Sequence, residues 1–176
     1  MEYLSNWTDT SIIQKTGWGG SVAKGDKCLI FTATNGWETF GWSLDSIVGK
    51  NICIEFDYIF TDVTNWGSTF IVNTDSISYG NDTIIYLTKT TDEWCHMKCC
   101  IPSVKKFIGF NIRGIDSTGK SVVMKANNIR IHSDDNIKPN FMKNGIVKSN
   151  IFLESNCNIS LSIGKDNIST RELYEI

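Results

Sequence analysis

Three tryptophans and five polar residues carry the chemistry that this sequence can offer. Trp18 lies in a Gly-rich stretch from Gly17 to Gly20, Trp66 sits between Asn65 and Gly67, and Trp37 follows the turn pair Asn35-Gly36. Glu55, Asp57, Tyr86, Asn111 and Arg113 fall at outward-facing positions of strand-like segments. Sugar rings present apolar CH faces beside hydroxyl rims, so flat aromatic surfaces flanked by planar hydrogen-bonding side chains suit a glycan. Alternation sets Trp37 opposite Phe40 and Trp42, which read as core. A Trp in a β sandwich is more often core or loop packing than a ligand platform. These eight residues are therefore candidates drawn from a larger aromatic inventory.

Other chemistries fit the residues less well. Cys95, His96, Cys99 and Cys100 cluster as metal ligands do. On a strand rising about 3.3 Å per residue, however, the Cα atoms of Cys95 and Cys99 stand about 13 Å apart, too far for one zinc with bonds of about 2.3 Å. His96 and Cys100 point to the opposite face. Only two histidines are present, His96 and His132, and the chain has no nucleophile elbow or phosphate-cradling glycine loop. Glu55 and Asp57, at i and i+2, have the residue types of a glycosidase pair, yet acidic groups on a wetted strand face are routine. The reading is of a protein that is not an enzyme.

Strands must position these groups. Ile52, Ile54, Phe56, Tyr58 and Phe60 alternate with Cys53, Glu55 and Asp57, the period-two pattern of a strand with one buried and one wetter face. Weaker versions cover Lys27 to Thr34, Thr69 to Asn73, Thr83 to Thr88 and Trp94 to Ile101. Ile108, Phe110 and Ile112 face one way and Gly109, Asn111 and Arg113 the other, before a hairpin-like loop from Gly114 to Gly119. Val122 and Met124 share a face, Ala126-Asn127-Asn128 breaks the register like a bulge, and Ile129 and Ile131 resume it. About eight strands without an intervening helix predict an all-β, two-sheet antiparallel sandwich over 1–135. From 136 to 176 the chain is more polar, with short alternating patches at Ile146 to Ser149, Ile151 to Leu153 and Ile159 to Ile163. This short β-rich extension holds too little apolar surface for its own core and is expected to dock on the sandwich, on a partner or on copies of itself as a homo-oligomer.

Bulk properties narrow the partners. A formal net charge of -2 across 176 residues lacks the positive field that attracts phosphate backbones, so nucleic acid is not expected. The start, Met1 to Asn6, has no signal-peptide character, and no run of about 18 apolar residues occurs. Synthesis in the cytoplasm and no membrane span are expected. The spacing of the six cysteines fits no disulfide scaffold, so reduced structural thiols are the expectation.

From Trp18 to His132 the chain resembles carbohydrate-binding modules of families 4 and 9 and the wider galactose-binding-like jelly rolls. The matching stretches are Lys27 to Thr34 with Trp37 and Trp42, Leu44 to Phe60, Trp94 to Ile101, and Phe107 to Arg113 with Ser121 to Ile131. The resemblance implies a jelly-roll sandwich that binds a glycan or cell-surface polysaccharide without catalysis. It also implies a structural calcium near the closing strand, where this chain has Asn127-Asn128 in place of the usual Asp. No other cofactor is implied. Asn144 to Ser149 and Ile168 to Ile176 are similar to C-terminal segments of prophage structural proteins of Gram-positive bacteria. That similarity implies a place on a virion, with the sandwich serving host recognition or, without sugar binding, only assembly.

Overall fold

A computed structural model describes residues 1–17, 19–34, 36–60, 68–74, 83–87, 93–101, 105–114, 119, 121–133, 145–148, 151–157, 159–163 and 166–169. Among these residues the regular structure is fourteen strands and two single turns of 3₁₀ helix, Thr10–Ile12 and Asp45–Ile47. The strands are β1 (Gln14–Thr16), β2 (Ser21–Lys24), β3 (Leu29–Ala33), β4 (Trp37–Ser43), β5 (Ile52–Phe60), β6 (Ser68–Thr74) and β7 (Thr83–Leu87). They continue with β8 (Cys95–Ile101), β9 (Phe107–Arg113), β10 (Val122–Ser133), β11 (Gly145–Lys148), β12 (Ile151–Ser155), β13 (Ile159–Ile163) and β14 (Asp166–Ser169). A front sheet runs β11-β12-β8-β5-β10-β3-β2 and a back sheet β1-β4-β9-β6-β7-β13-β14. The two-sheet all-β sandwich expected from the alternation is thus present.

The inward residues explain why the sheets close on each other. Along β5, Ile52, Ile54, Phe56, Tyr58 and Phe60 are all buried, while Glu55, Asp57 and Ile59 between them are half-buried on the other face. Phe110 of the back sheet meets Phe56 and Phe31 of the front sheet at ring distances of 5.1 and 5.3 Å, and Trp42 of its own sheet at 6.3 Å. Burying each such ring contributes about 1.5–3 kcal/mol, and each offset or edge contact adds about 0.5–1.5 kcal/mol.

Connectivity departs from the sequence reading at one joint. The loop after Arg113 is not a hairpin, because β9 belongs to the back sheet and β10 to the front one. Turn residues mark where a strand ends, but not whether the chain returns to the same sheet. Strand β10 pairs with β5 along most of its length, with a register shift between Asn127 and Arg130. Met124 and Ala126 are buried before that shift, Ile129 and Ile131 after it. The extra residue thus moves the inward set from even to odd positions, the bulge read from Ala126-Asn127-Asn128. Beyond Ala126, β10 has left β3, and the free edge is taken by the N-terminal segment through Tyr3 N–H to Ile131 O, 2.7 Å, and Ser133 N–H to Met1 O, 2.8 Å.

Strands from the C-terminal extension extend both sheets: β12 pairs with β8 and β13 with β7. The extension is also tied covalently, since Cys95 is bonded to Cys157. A second disulfide joins Cys53 to Cys100, which are direct cross-strand partners on β5 and β8. The expectation of reduced thiols is therefore corrected for four of the six cysteines; Cys28 and Cys99 are free and buried. Spacing along the chain carries no information on which Cα atoms lie within the about 4.4–6.8 Å typical of a bridge.

Two predictions follow from this core. Phe110→Ala is expected to lower stability by about 3–5 kcal/mol in chemical denaturation, the range for a buried aromatic with partners on both sheets. Burial pushes the Cys99 thiol up, away from the reactive thiolate. The native chain should therefore leave Cys28 and Cys99 unlabelled by a thiol reagent, the denatured chain should titrate two thiols, and the denatured and reduced chain six.

Candidate functional site

The outward residues of β5 and its two neighbours build one continuous polar surface on the front sheet. Register places Glu55 between Lys98 of β8 and Arg130 of β10, and Asp57 between His96 and Asn127. His132 lies opposite Cys53, beside the Cys53–Cys100 bridge. These residues come together because each strand exposes every second side chain, so three adjacent strands in register present one row each.

Hydrogen bonds hold the rows in place. His96 Nδ1 lies 2.7 Å from Asp57 Oδ1, and His132 Nε2 lies 2.8 Å from Glu55 Oε1. An ionised carboxylate only accepts, so each imidazole donates there. Asn128 Nδ2 donates to the other oxygen, Asp57 Oδ2, at 2.6 Å. Asn128 has φ 51°, in the left-handed region that asparagine tolerates better than most residues. The bulge thus turns the Asn128 amide onto Asp57 instead of leaving it in the ladder. Arg130 stands 3.8 Å from Glu55 and 3.9 Å from Glu2. Such exposed pairs contribute at most about 1 kcal/mol, which leaves the guanidinium able to exchange partners.

Between the N-terminal segment and these strands lies an open cleft of about 490 Å³. Its floor and walls include Glu55, Asp57, His96, Asn128 and Arg130, and Trp7 borders it together with Ser5 and Glu2. Trp7 is partly buried and packs against the hydrophobic core. It reaches the cleft because the N-terminal segment runs along the free edge of β10. Asp57 and Glu55 keep 23% and 20% of their side chains exposed, and a carboxylate has about four acceptor sites, so both retain acceptor capacity toward the cleft.

Six of the eight sequence candidates divide between the two sheets. Glu55 and Asp57 line the front cleft. Trp37, Tyr86, Asn111 and Arg113 belong to the back sheet, so Asp57 and Arg113 do not share a surface. Trp37 is 45% exposed, on the opposite face from buried Phe40 and Trp42, and is in register with Arg113. Asn111, expected as an open polar group, is instead 3% exposed, with its amide donating to Thr39 Oγ1 at 2.8 Å. On that face Gly41 and Gly109 pair directly, and a Cβ on either would collide with the partner backbone and with the Phe107 ring. Tyr86 lies on the same register row as Asn111 by way of Thr69. The side chains of Tyr86 and Arg113, and the whole of Trp18 and Trp66, lie outside the described residues.

Sequence reasoning missed Trp7, Asn128 and Arg130 as site residues, and weighed His96 only as a metal ligand or a catalytic group. A tryptophan within the polar run Ser5 to Thr10 was a signal of the kind read at Trp18 and Trp66. The pairing of His96 with Asp57 had no sequence signal, since they are 39 positions apart. The closing strand does not fit the implied calcium. The carboxylate facing Asn127-Asn128, Asp57, is already bonded to His96 and Asn128, and among the described residues no three His, Cys, Asp or Glu side chains converge as a metal site. Of the three cysteines considered for zinc, Cys95 and Cys100 are bound in disulfides.

No protein-family model matches the chain, and no curated protein matches it. Solved structures do. A variant of CBM29-2, a family 29 carbohydrate-binding module, overlaps 80% of this chain and 98% of its own, at 16% identity and a TM-score of 0.52. A second CBM29-2 variant overlaps 76% and 83%, at 14% identity and a TM-score of 0.50. The chain has the jelly-roll sandwich fold of these modules. A third variant, complexed with cellulohexaose, overlaps 70% and 81% at 14% identity and a TM-score of 0.48. The jelly roll implied by the sequence resemblance agrees with this fold, whereas the overlap is with family 29 modules rather than families 4 and 9.

One consequence of the bulge is directly measurable. Asn128→Gly keeps the left-handed backbone and loses only the bond to Asp57, whereas Asn128→Ala loses the bond and strains the backbone. Urea denaturation should show the alanine variant less stable than the glycine variant by about 1 kcal/mol.

Proposed function

We propose that this chain is a non-catalytic carbohydrate-binding module whose sugar site is the front-sheet cleft. The observation that carries the proposal is the convergence of an edge-anchored tryptophan, Trp7, with Glu55, Asp57, Asn128 and Arg130 in one open cleft. An aromatic ring can stack on the apolar face of a pyranose while these groups accept from and donate to its hydroxyl rim. Support also comes from the fold shared with modules of family 29, which are carbohydrate-binding. Glu55 and Asp57 stand side by side on one strand, each held by a histidine, rather than flanking a scissile bond from two sides as glycosidase acids do. A binding role uses them as fixed acceptors.

Two disulfides support a working environment that is oxidising, such as an outer surface, in place of a reducing cytosol. For a role on a phage or prophage particle, the support is the sequence resemblance of the C-terminal segment alone.

Calorimetric titration with linear neutral hexasaccharides such as cellulohexaose and mannohexaose, the ligands of CBM29-2 variants, tests the proposal. Trp7→Ala is expected to weaken binding about tenfold, a loss of about 1.4 kcal/mol, and Trp37→Ala on the back sheet to leave it unchanged. The opposite pattern would move the site to the back sheet. A glycan array without a hit would remove the sugar altogether.

A further inference from the structure

We infer that Trp94 is a second stacking platform of the front-sheet site, so that the site takes a linear oligosaccharide running from the β10 side across β5 to the start of β8 rather than a single sugar unit. The inference rests on the proposed sugar site and extends it along the sheet.

Trp94 immediately precedes β8 and is 41% exposed. The last register pair of β8 with β5 is Cys95 with Tyr58, both buried on the inner face. In an extended chain the residue before an inward one stands on the outer side, in line with His96 and Lys98. Two residues of strand set Trp94 about 6.6 Å beyond His96, which already lines the cleft. The neighbouring outward position on β5 is Ile59, half-buried, with Lys125 of β10 opposite it on the far side. Trp7 borders the cleft from the β10 side, and Trp94 stands on the β8 side one step further along. Two rings with hydrogen-bonding groups between them suit alternating contacts with successive units of a chain.

The strand end that carries Trp94 is also held from its other side. Cys95, next to Trp94, is bonded to Cys157. The turn that carries Cys157 clamps His96 from the other side: Asn156 Oδ1 accepts from His96 N–H at 2.6 Å, and Ser155 Oγ donates to His96 O at 2.7 Å. A ring carried on a backbone tied in this way costs less ordering entropy on binding than one on a free loop.

Calorimetry of the full chain with cellulohexaose and with the disaccharide cellobiose tests this. Trp94→Ala should weaken the hexasaccharide about tenfold while changing the disaccharide little, and Trp94→Tyr should restore most of the loss. In the unsubstituted chain, the Trp94 indole N–H resonance, assigned by its loss in Trp94→Phe, should shift with the hexasaccharide and not with the disaccharide. This readout needs no truncation variant to fold. Unchanged hexasaccharide affinity in Trp94→Ala, an equal loss for both lengths, or an indole signal indifferent to the hexasaccharide would overturn the role of Trp94 and leave the sugar site standing. If the unsubstituted chain binds neither saccharide, nor any other on a glycan array, the sugar site itself falls.

Discussion

The contact of Phe110 with Phe31 and Phe56 across the interior is the constraint on which the rest of the molecule depends. It clamps β9 of the back sheet to β3 and β5 of the front one. Once Phe56 and Phe110 face each other, the pleat fixes the direction of every other side chain on their strands. Glu55 and Asp57 must then stand on the outer face of the front sheet, and Gly109 and Asn111 on the outer face of the back sheet. Moving β5 by one residue would bury the two acids and expose its aromatic set, at a cost no surface interaction could offset.

Within that frame the front surface is shaped by one irregularity. Without the bulge in β10, residues 127 to 131 would keep the parity of Met124 and Ala126, and Ile129 and Ile131 would turn outward. The extra residue restores their burial and frees Asn128 to bond Asp57. A packing requirement and the organisation of the polar rows are therefore met by the same local distortion. The histidines complete the arrangement: each acid on β5 is held by an imidazole from a different neighbouring strand, one from β8 and one from β10.

The C-terminal extension is part of this organisation rather than an ornament. Its strand β12 continues the front sheet beyond β8, and its turn at 155–157 bonds the backbone of His96 and the sulfur of Cys95. The segment is thus held by a sheet edge and a covalent tie. In exchange it stiffens the strand that carries His96 and lies next to Trp94.

The sequence by itself determined the longer strands from β5 to β10, the inward and outward assignment along β5, β9 and β10, and the position of the bulge. These are local matters: alternation between neighbours at i and i+2 is visible in the order of residues. It also put Glu55 and Asp57 on one polar face. What only the tertiary structure decided was non-local. It separated Glu55 and Asp57 from Trp37, Asn111 and Arg113 by assigning β5 to one sheet and β4 and β9 to the other, and it covered Asn111, which alternation alone would have left open. It brought Trp7 to the cleft through an edge left free by β3, and it joined Cys95 to a residue 62 positions away. No pattern along the chain encodes which strand edges meet, because that depends on how the buried faces of distant segments fit together.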